Sequence, residues 1–222
     1  MAFSNMPKRI VIHAGFHKTG TTTIQKMLRH NNQLLRPDIQ VVLRDGMVSL
    51  CEAARAYSVS KSALDLGLVQ FETAETLQKF TDFSGTLLLS SEDLSGHMPG
   101  RRGLKSYASA PKILNAIYSA AAEVFSGVEV SFFFGTRASK PWLSSCYVQH
   151  LRATHITQSM QDYAISYIGS AQLDKVVDAT RNTVPHAFFV SSALEDCSLF
   201  KLGPLDPLLN QSGRAAVDQR QV

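Results

Sequence analysis

The chain has 222 residues, a formal net charge of +4, 45% hydrophobic residues and 18% charged residues. That composition supplies one buried core and excludes a disordered chain. The modest basic excess suits an anionic nucleotide, and it lacks the dense basic stripe that would imply nucleic acid as a partner.

Residues 1–9 hold no apolar signal segment, and no apolar run approaches the roughly 18 residues of a membrane span. The expectation is a cytoplasmic protein without a transmembrane segment. Cys51, Cys146 and Cys197 are widely spaced and form no Cys-x-x-Cys pair, which predicts free thiols and no zinc site. Arg9-Ile-Val-Ile-His-Ala14 is a short β-branched run, the mark of a buried parallel strand. Gly15 and Gly20 bracket a loop. From Thr21 the apolar period changes to that of a helix, with Ile24, Met27 and Leu28 at i, i+3 and i+4. Ile39–Leu43 reads as a second strand, and residues 47–82 as helical with a polar break around 58–62. Thr86–Ser90 is a third strand, followed by a loop over 95–106 that contains His97, Arg101 and Arg102. Pro111 opens a helix with core positions Ile113, Ile117, Ala120 and Val124, and Gly127 ends it. Val128–Phe134 is a fourth strand. A helix follows from near Pro141 to Arg152, then two more near 159–168 and 171–181. His186–Val190 is a fifth strand, the last thirty residues carry little pattern, and 211–222 reads as a loose tail. Strands alternating with helices predict a three-layer α/β fold, P-loop-like, with a central mainly parallel five-stranded sheet and helices on both faces. The whole chain reads as a single domain with a helical appendage at about 153–183. In such sheets ligands bind beyond the carboxyl ends of the strands.

Strand, glycine loop and helix together aim backbone N–H groups and a helix N-terminus at an anion. A nucleoside-triphosphatase loop reads G-x-x-x-x-G-K-[ST], with lysine after the second glycine. Gly15-Phe-His-Lys-Thr-Gly20 keeps the glycine spacing and Thr22 keeps the hydroxyl, but Thr21 takes the lysine position and the cation lies inside the loop as Lys18. The concentrated charge of a triphosphate calls for that lysine and for metal.

His17-Lys18-Thr19-Gly20-Thr21-Thr22-Thr23-Ile24-Gln25 resembles the 5′-phosphosulfate loop of the sulfotransferases that use 3′-phosphoadenosine-5′-phosphosulfate (PAPS). The resemblance implies a P-loop-like fold and a donor held by Gly15 to Thr23, with Thr21, Thr22 and Thr23 as hydroxyl donors and Lys18 at the bridging oxygen. Phe16 would pack on the adenine. Phe134-Gly-Thr-Arg137, with Ser145 eight residues on, resembles the family's second motif, in which an arginine and a serine grip the 3′-phosphate. Ser144 is the one-off alternative. Glu92, just past the third strand, takes the place where the family has a base, and Asp93 is expected to point away by strand alternation. His97 and His17 are rival bases. Trp142, Tyr147 and Phe132–Phe134 are expected in the core. Arg101 and Arg102 either line an acceptor entrance or are simply solvated. The family's late basic-glycine segment has no clean counterpart, only Lys201-Leu-Gly203 and Ser212-Gly213-Arg214.

The function implied is metal-independent, in-line transfer of a sulfuryl group from PAPS to a hydroxyl or amine, leaving adenosine 3′,5′-bisphosphate. The acceptor is open: small molecule, carbohydrate, lipid or peptide. So is the oligomeric state. Two other readings stand beside it. One is a P-loop small-molecule kinase that uses ATP–Mg²⁺, with Glu92 or Asp93 as the metal carboxylate. The other is a non-catalytic nucleotide-binding protein of the same fold.

Overall fold

The structure is a computed structural model and describes residues 6–154 and 156–213. In chain order the elements are β1 (Arg9–His13), α1 (Thr21–His30), α2 (Asn32–Leu35), β2 (Ile39–Leu43), α3 (Val48–Ser60), α4 (Ala63–Gln78) and β3 (Thr86–Ser90). They continue with α5 (Ala110–Val124), β4 (Glu129–Thr136), α6 (Ser139–Ala153), α7 (Met160–Tyr167), α8 (Leu173–Thr183), β5 (Phe188–Ala193) and α9 (Leu205–Gln211).

The five strands form one parallel sheet in the order β2-β3-β1-β4-β5. β1 lies at the centre, with Ile12 opposite Leu89 on one side and Phe132 on the other. Its residues Ile10, Val11 and Ile12 are fully buried, because parallel strands covered on both faces have no wet side. Alternation divides the core in two. Ile10, Ile12, Leu87, Leu89, Phe132 and Phe134 face the layer built by α3, α4, α5, α6 and α8. Val11, Leu88 and Phe133 face α1, α2 and α9 through Ile24, Leu28, Leu35, Leu208 and Leu209. The fold is thus α/β in three layers. Each buried aliphatic side chain contributes about 1.5–3 kcal/mol.

Several boundaries differ from the sequence reading. β4 runs two residues further, to Thr136, which brings Arg137 to the sheet edge. β5 starts at Phe188, because its register against Ser131–Thr136 of β4 sets it, not its own hydrophobicity. The stretch over 160–183 does not stand apart as an appendage: Tyr163, Leu173 and Val177 belong to the main core. α9 was not expected. Pro204 and Pro207 argue for a loop, yet Pro207 falls in the first turn of α9, where no N–H is needed. Gln211 and Ser212 are docked rather than loose, with Gln211 Nε2 donating to the Phe132 carbonyl at 3.1 Å and Ser212 only 3% exposed. The remainder of the expected tail, 214–222, lies outside the described residues. Among the described residues no helix is long and apolar enough to cross a membrane.

Candidate functional site

β1 ends at His13 and the chain turns sharply. Phe16 plunges into the core, stacked on Phe134 at 5.4 Å and tilted against Tyr107 at 4.9 Å. It therefore anchors the loop from beneath and is not available to an adenine, which corrects the expectation for that residue. The Phe16 carbonyl accepts from Thr19 Oγ1 at 2.7 Å and from Thr21 Oγ1 at 3.3 Å. Three side chains from elsewhere fix the loop backbone. Tyr107 Oη accepts the His17 N–H at 3.1 Å, Trp142 Nε1 donates to the His17 carbonyl at 2.9 Å, and Arg137 Nη1 donates to the Lys18 carbonyl at 3.1 Å. Lys18 sits at φ 70° and Gly20 at φ 91°, both in the left-handed region. A β-carbon at Gly20 would also lie 2.8 Å from Leu194 Cδ1.

The result is a helix terminus with its donors exposed. The Thr23 and Ile24 amides bond back to the Gly20 carbonyl, no side chain caps α1, and its first turn holds no acidic residue. The amides of Thr21 and Thr22 face outward, as an anion site requires.

They open into a cleft of about 560 Å³ at the carboxyl ends of the strands. Of the residues expected at the site, His17, Lys18, Gly20, Thr21, Thr22, Glu92, Arg137 and Ser145 line it together. Ser144, the alternative to Ser145, is turned outward and bonds to the Lys140 carbonyl. Four others lie outside the cleft. Phe16 and Thr19 are buried in the loop's foundation, and Thr23 is exposed on the far side of the turn. Gly15 is needed for space, since a β-carbon there would lie 2.9 Å from His13 Nε2.

The acidic pair behaves differently from expectation. β3 stops at Ser90, and Glu92–Ser95 forms a 3₁₀ turn whose Ser91 Oγ accepts the Asp93 N–H at 3.2 Å. Strand alternation no longer applies, so both carboxylates face the cleft. Glu92 Oε2 accepts from Gln25 Nε2 at 2.9 Å. Asp93 is the hub of a charged cluster: Oδ2 lies 2.9 Å from Arg44 Nε and 3.7 Å from Arg55 Nη1, and Oδ1 lies 3.7 Å from His17 Nε2. Burial alone would push the Asp93 carboxyl up. His17, Arg44 and Arg55 outweigh it and hold the group at about 2.

Burial raises the Tyr107 hydroxyl far above its ordinary range, so it keeps its proton. Tyr107 Oη lies 3.0 Å from His17 Nδ1 and Asp93 Oδ1 lies 3.7 Å from His17 Nε2, so both ring nitrogens are engaged within the protein. His97 is set back from the cleft with its amide bonded to Ser58 Oγ, and burial together with Arg55 lowers its pKa. Glu92 is the cleft carboxylate with no cation paired to it among the described residues.

Arg44, Met98, Gln149 and Leu194 also line the cleft, and the sequence did not mark them as binding residues; Asp93, marked only as a metal carboxylate of the kinase reading, and Arg101, but not Arg102, line it as well. Tyr107 and Trp142 act from behind. No local spacing links any of these to the loop, since the contacts join elements far apart in the chain. Lys201 and Gly203 do not line the cleft, and Gly213 packs by Arg9 at the opposite end of the strands. Arg214 lies outside the described residues. Burial pushes the Cys146 thiol up to about 12 and the Cys51 thiol to about 11, so both stay protonated. Among the described residues, no group of three or more His, Cys, Asp or Glu side chains could hold a metal ion.

Fold and cleft together define a three-layer, P-loop-like α/β protein with a glycine loop at the end of its central strand. No family model matches the chain, and no curated protein matches it. Among solved structures, a candidate kinase from Chloroflexus aurantiacus J-10-fl is similar at 11% identity, covering 94% of this chain and 99% of that chain with a TM-score of 0.47. A likeness at that level carries no residue correspondence into the cleft.

Proposed function

We propose that the protein is a sulfotransferase that moves a sulfuryl group from PAPS to a hydroxyl or amine acceptor. One observation carries the reading. Arg137 and Lys18, 119 positions apart, meet by a direct hydrogen bond at the mouth of one cleft, with Ser145 and the uncapped start of α1 beside them. That arrangement suits a ligand with two separated anionic groups. The α1 amides, Thr21 and Thr22 take the 5′-phosphosulfate, and Arg137 with Ser145 takes the 3′-phosphate. The buried Arg137 Nε makes no hydrogen bond among the described residues and faces Glu195 Oε1 at 3.9 Å, so a 3′-phosphate would compete with that carboxylate for the guanidinium.

The acceptor oxygen attacks sulfur, its proton passes to Glu92, and the bond from sulfur to the bridging oxygen breaks. The electron pair stays on the departing 5′-phosphate. Lys18 and the helix terminus oppose that new charge, the electrostatic contribution that is usually largest. A kinase reading needs a strand-end carboxylate for Mg²⁺; Asp93 is already engaged by Arg44 and Arg55, which leaves that reading Glu92, and it also lacks the lysine after Gly20, where Thr21 stands.

Calorimetric titration with adenosine 3′,5′-bisphosphate, with and without chelator, tests the proposal against ATP–Mg²⁺. At a hundredfold excess over Kd the bisphosphate should add about 2.7 kcal/mol of stability, with chelator having no effect. ³⁵S-labelled donor then reads transfer across an acceptor panel. Binding of ATP–Mg²⁺ alone, abolished by chelator, would establish a kinase instead. Bisphosphate binding with no transfer to any acceptor would leave a nucleotide-binding protein.

A further inference from the structure

The cleft contains four permanent cations: Lys18, Arg44, Arg101 and Arg137. Two are matched within the protein. Arg44 lies 2.9 Å from Asp93 and 3.3 Å from Glu52, and Arg137 holds the Lys18 carbonyl with Glu195 at 3.9 Å. Lys18 and Arg101 form no ion pair among the described residues. The donor proposed above accounts for Lys18. Arg101 is left over, half-buried and facing the cavity without a counter-ion.

Its position is fixed by the surrounding loop. The Arg101 N–H donates to the Met98 carbonyl at 3.1 Å, the Leu104 N–H to the Arg101 carbonyl at 2.9 Å, and the Gly100 N–H to the Leu104 carbonyl at 2.8 Å. Gly100, Arg102 and Gly103 all have positive φ, at 92°, 52° and 77°. Gly100 also rests on the buried His150 ring, where a β-carbon would collide. The segment is a tight knot with one charged side chain directed inward.

Arg101 enters the cleft from the loop between β3 and α5, whereas Lys18 and Arg137 enter from the glycine loop and the end of β4 and are joined by a hydrogen bond. A planar guanidinium with no partner suits bidentate pairing with an oxyanion. Glu92, the proton acceptor, opens into the same cavity. Resting on the sulfotransferase reading, we infer that Arg101 is an acceptor-binding residue, and that the acceptor carries a carboxylate, sulfate or phosphate near the hydroxyl that is sulfated.

Two probes that differ in one carboxylate test this: 4-nitrophenyl β-D-glucuronide and 4-nitrophenyl β-D-glucoside. Binding is read by ligand-observed NMR, and transfer from ³⁵S-labelled PAPS is read alongside. Wild type should prefer the glucuronide. Arg101→Gln should lose about tenfold to a hundredfold in glucuronide affinity, with glucoside and adenosine 3′,5′-bisphosphate affinities unchanged. Arg102→Gln removes the same charge from an exposed neighbour and should behave as wild type. Equal response to the two probes, an equal loss of both in Arg101→Gln, or weakened bisphosphate binding in that variant would overturn the assignment. If the wild type ignores the bisphosphate, the sulfotransferase reading falls by itself, and the NMR comparison still judges Arg101.

Discussion

Tyr107→Phe removes a single oxygen, and the structure states what that oxygen does. It accepts the His17 N–H at 3.1 Å and binds Nδ1 of the same residue at 3.0 Å, from a side chain that is 2% exposed. The ring's packing against Phe16 survives the substitution, so no cavity forms. The cost comes from a backbone donor left unpaired, about 1–3 kcal/mol, while the His17 ring regains water through the cleft. At about 2–4 °C per kcal/mol for a chain of this size, a loss near 2 kcal/mol lowers Tm by about 4–8 °C. Differential scanning calorimetry reads the shift, and hydrogen exchange at the His17 amide should accelerate. A Tm change below about 1 °C together with unchanged exchange would refute the hydroxyl's role as the loop's tether.

The catalytic assignments separate by readout. Lys18→Ala should lower kcat by about 10²–10³, the usual loss for a donor aimed at developing charge, measured in single-turnover transfer. Glu92→Gln should lower kcat by about 10²–10⁴ with adenosine 3′,5′-bisphosphate affinity intact by calorimetry. Acid should destabilise the fold in two stages. His13 is held neutral by burial, with its pKa lowered to about 3 from 6.5, so it stabilises the fold above its unfolded value and that contribution drains away as pH falls below 6.5. Asp93, held at about 2, adds about 2 kcal/mol above pH 4 that is lost between about pH 4 and 2. Tm against pH should therefore fall less steeply between pH 4 and 2 in Asp93→Asn, with the His13 slope persisting to about pH 3, and an unchanged slope there would remove the His17, Arg44 and Arg55 contacts as its cause.

How much of this was legible in the sequence depended on what fixes each element. Thr86–Ser90 was readable to the residue because an interior strand covered on both faces carries an unbroken apolar centre, Leu87–Leu89. Ile39–Leu43 was readable although it lies at the sheet edge, because Ile39, Val42 and Leu43 are buried. β5 is an edge strand with Phe188 63% exposed, so its limits follow from pairing with β4 and its own pattern misleads by two residues at the start and three at the end. α9 does carry apolar residues at i, i+3 and i+4 in Leu205, Leu208 and Leu209, but two prolines mask them. The loop was legible because glycine spacing is local chemistry. Its supports were not. Tyr107 and Trp142 reach it from distant elements, and only the topology of the sheet brings them there. Asp93 was misread because alternation was carried past the end of β3 into a turn of different period.

The same geometry explains why the cation lies inside the loop. Thr21, at the position of the nucleoside-triphosphatase lysine, is 3% exposed with its Oγ1 on the Phe16 carbonyl, so a lysine there would break the loop's own brace. Lys18 reaches the cleft instead from a left-handed backbone conformation that Arg137 secures through the Lys18 carbonyl. On the proposed sulfotransferase reading Arg137 has two tasks, gripping the 3′-phosphate and holding the Lys18 backbone in place, whereas Ser145 has only the first. Arg137→Ala should weaken both adenosine 3′,5′-bisphosphate and adenosine 5′-phosphosulfate, a nucleotide without the 3′-phosphate, each by about tenfold or more. Ser145→Ala should weaken the bisphosphate alone. Calorimetric titration of the two nucleotides into the two variants separates these outcomes. If Arg137→Ala left the 5′-phosphosulfate affinity at its wild-type value, the hydrogen bond to the Lys18 carbonyl would be incidental, and the loop would owe its conformation to Tyr107 and Trp142.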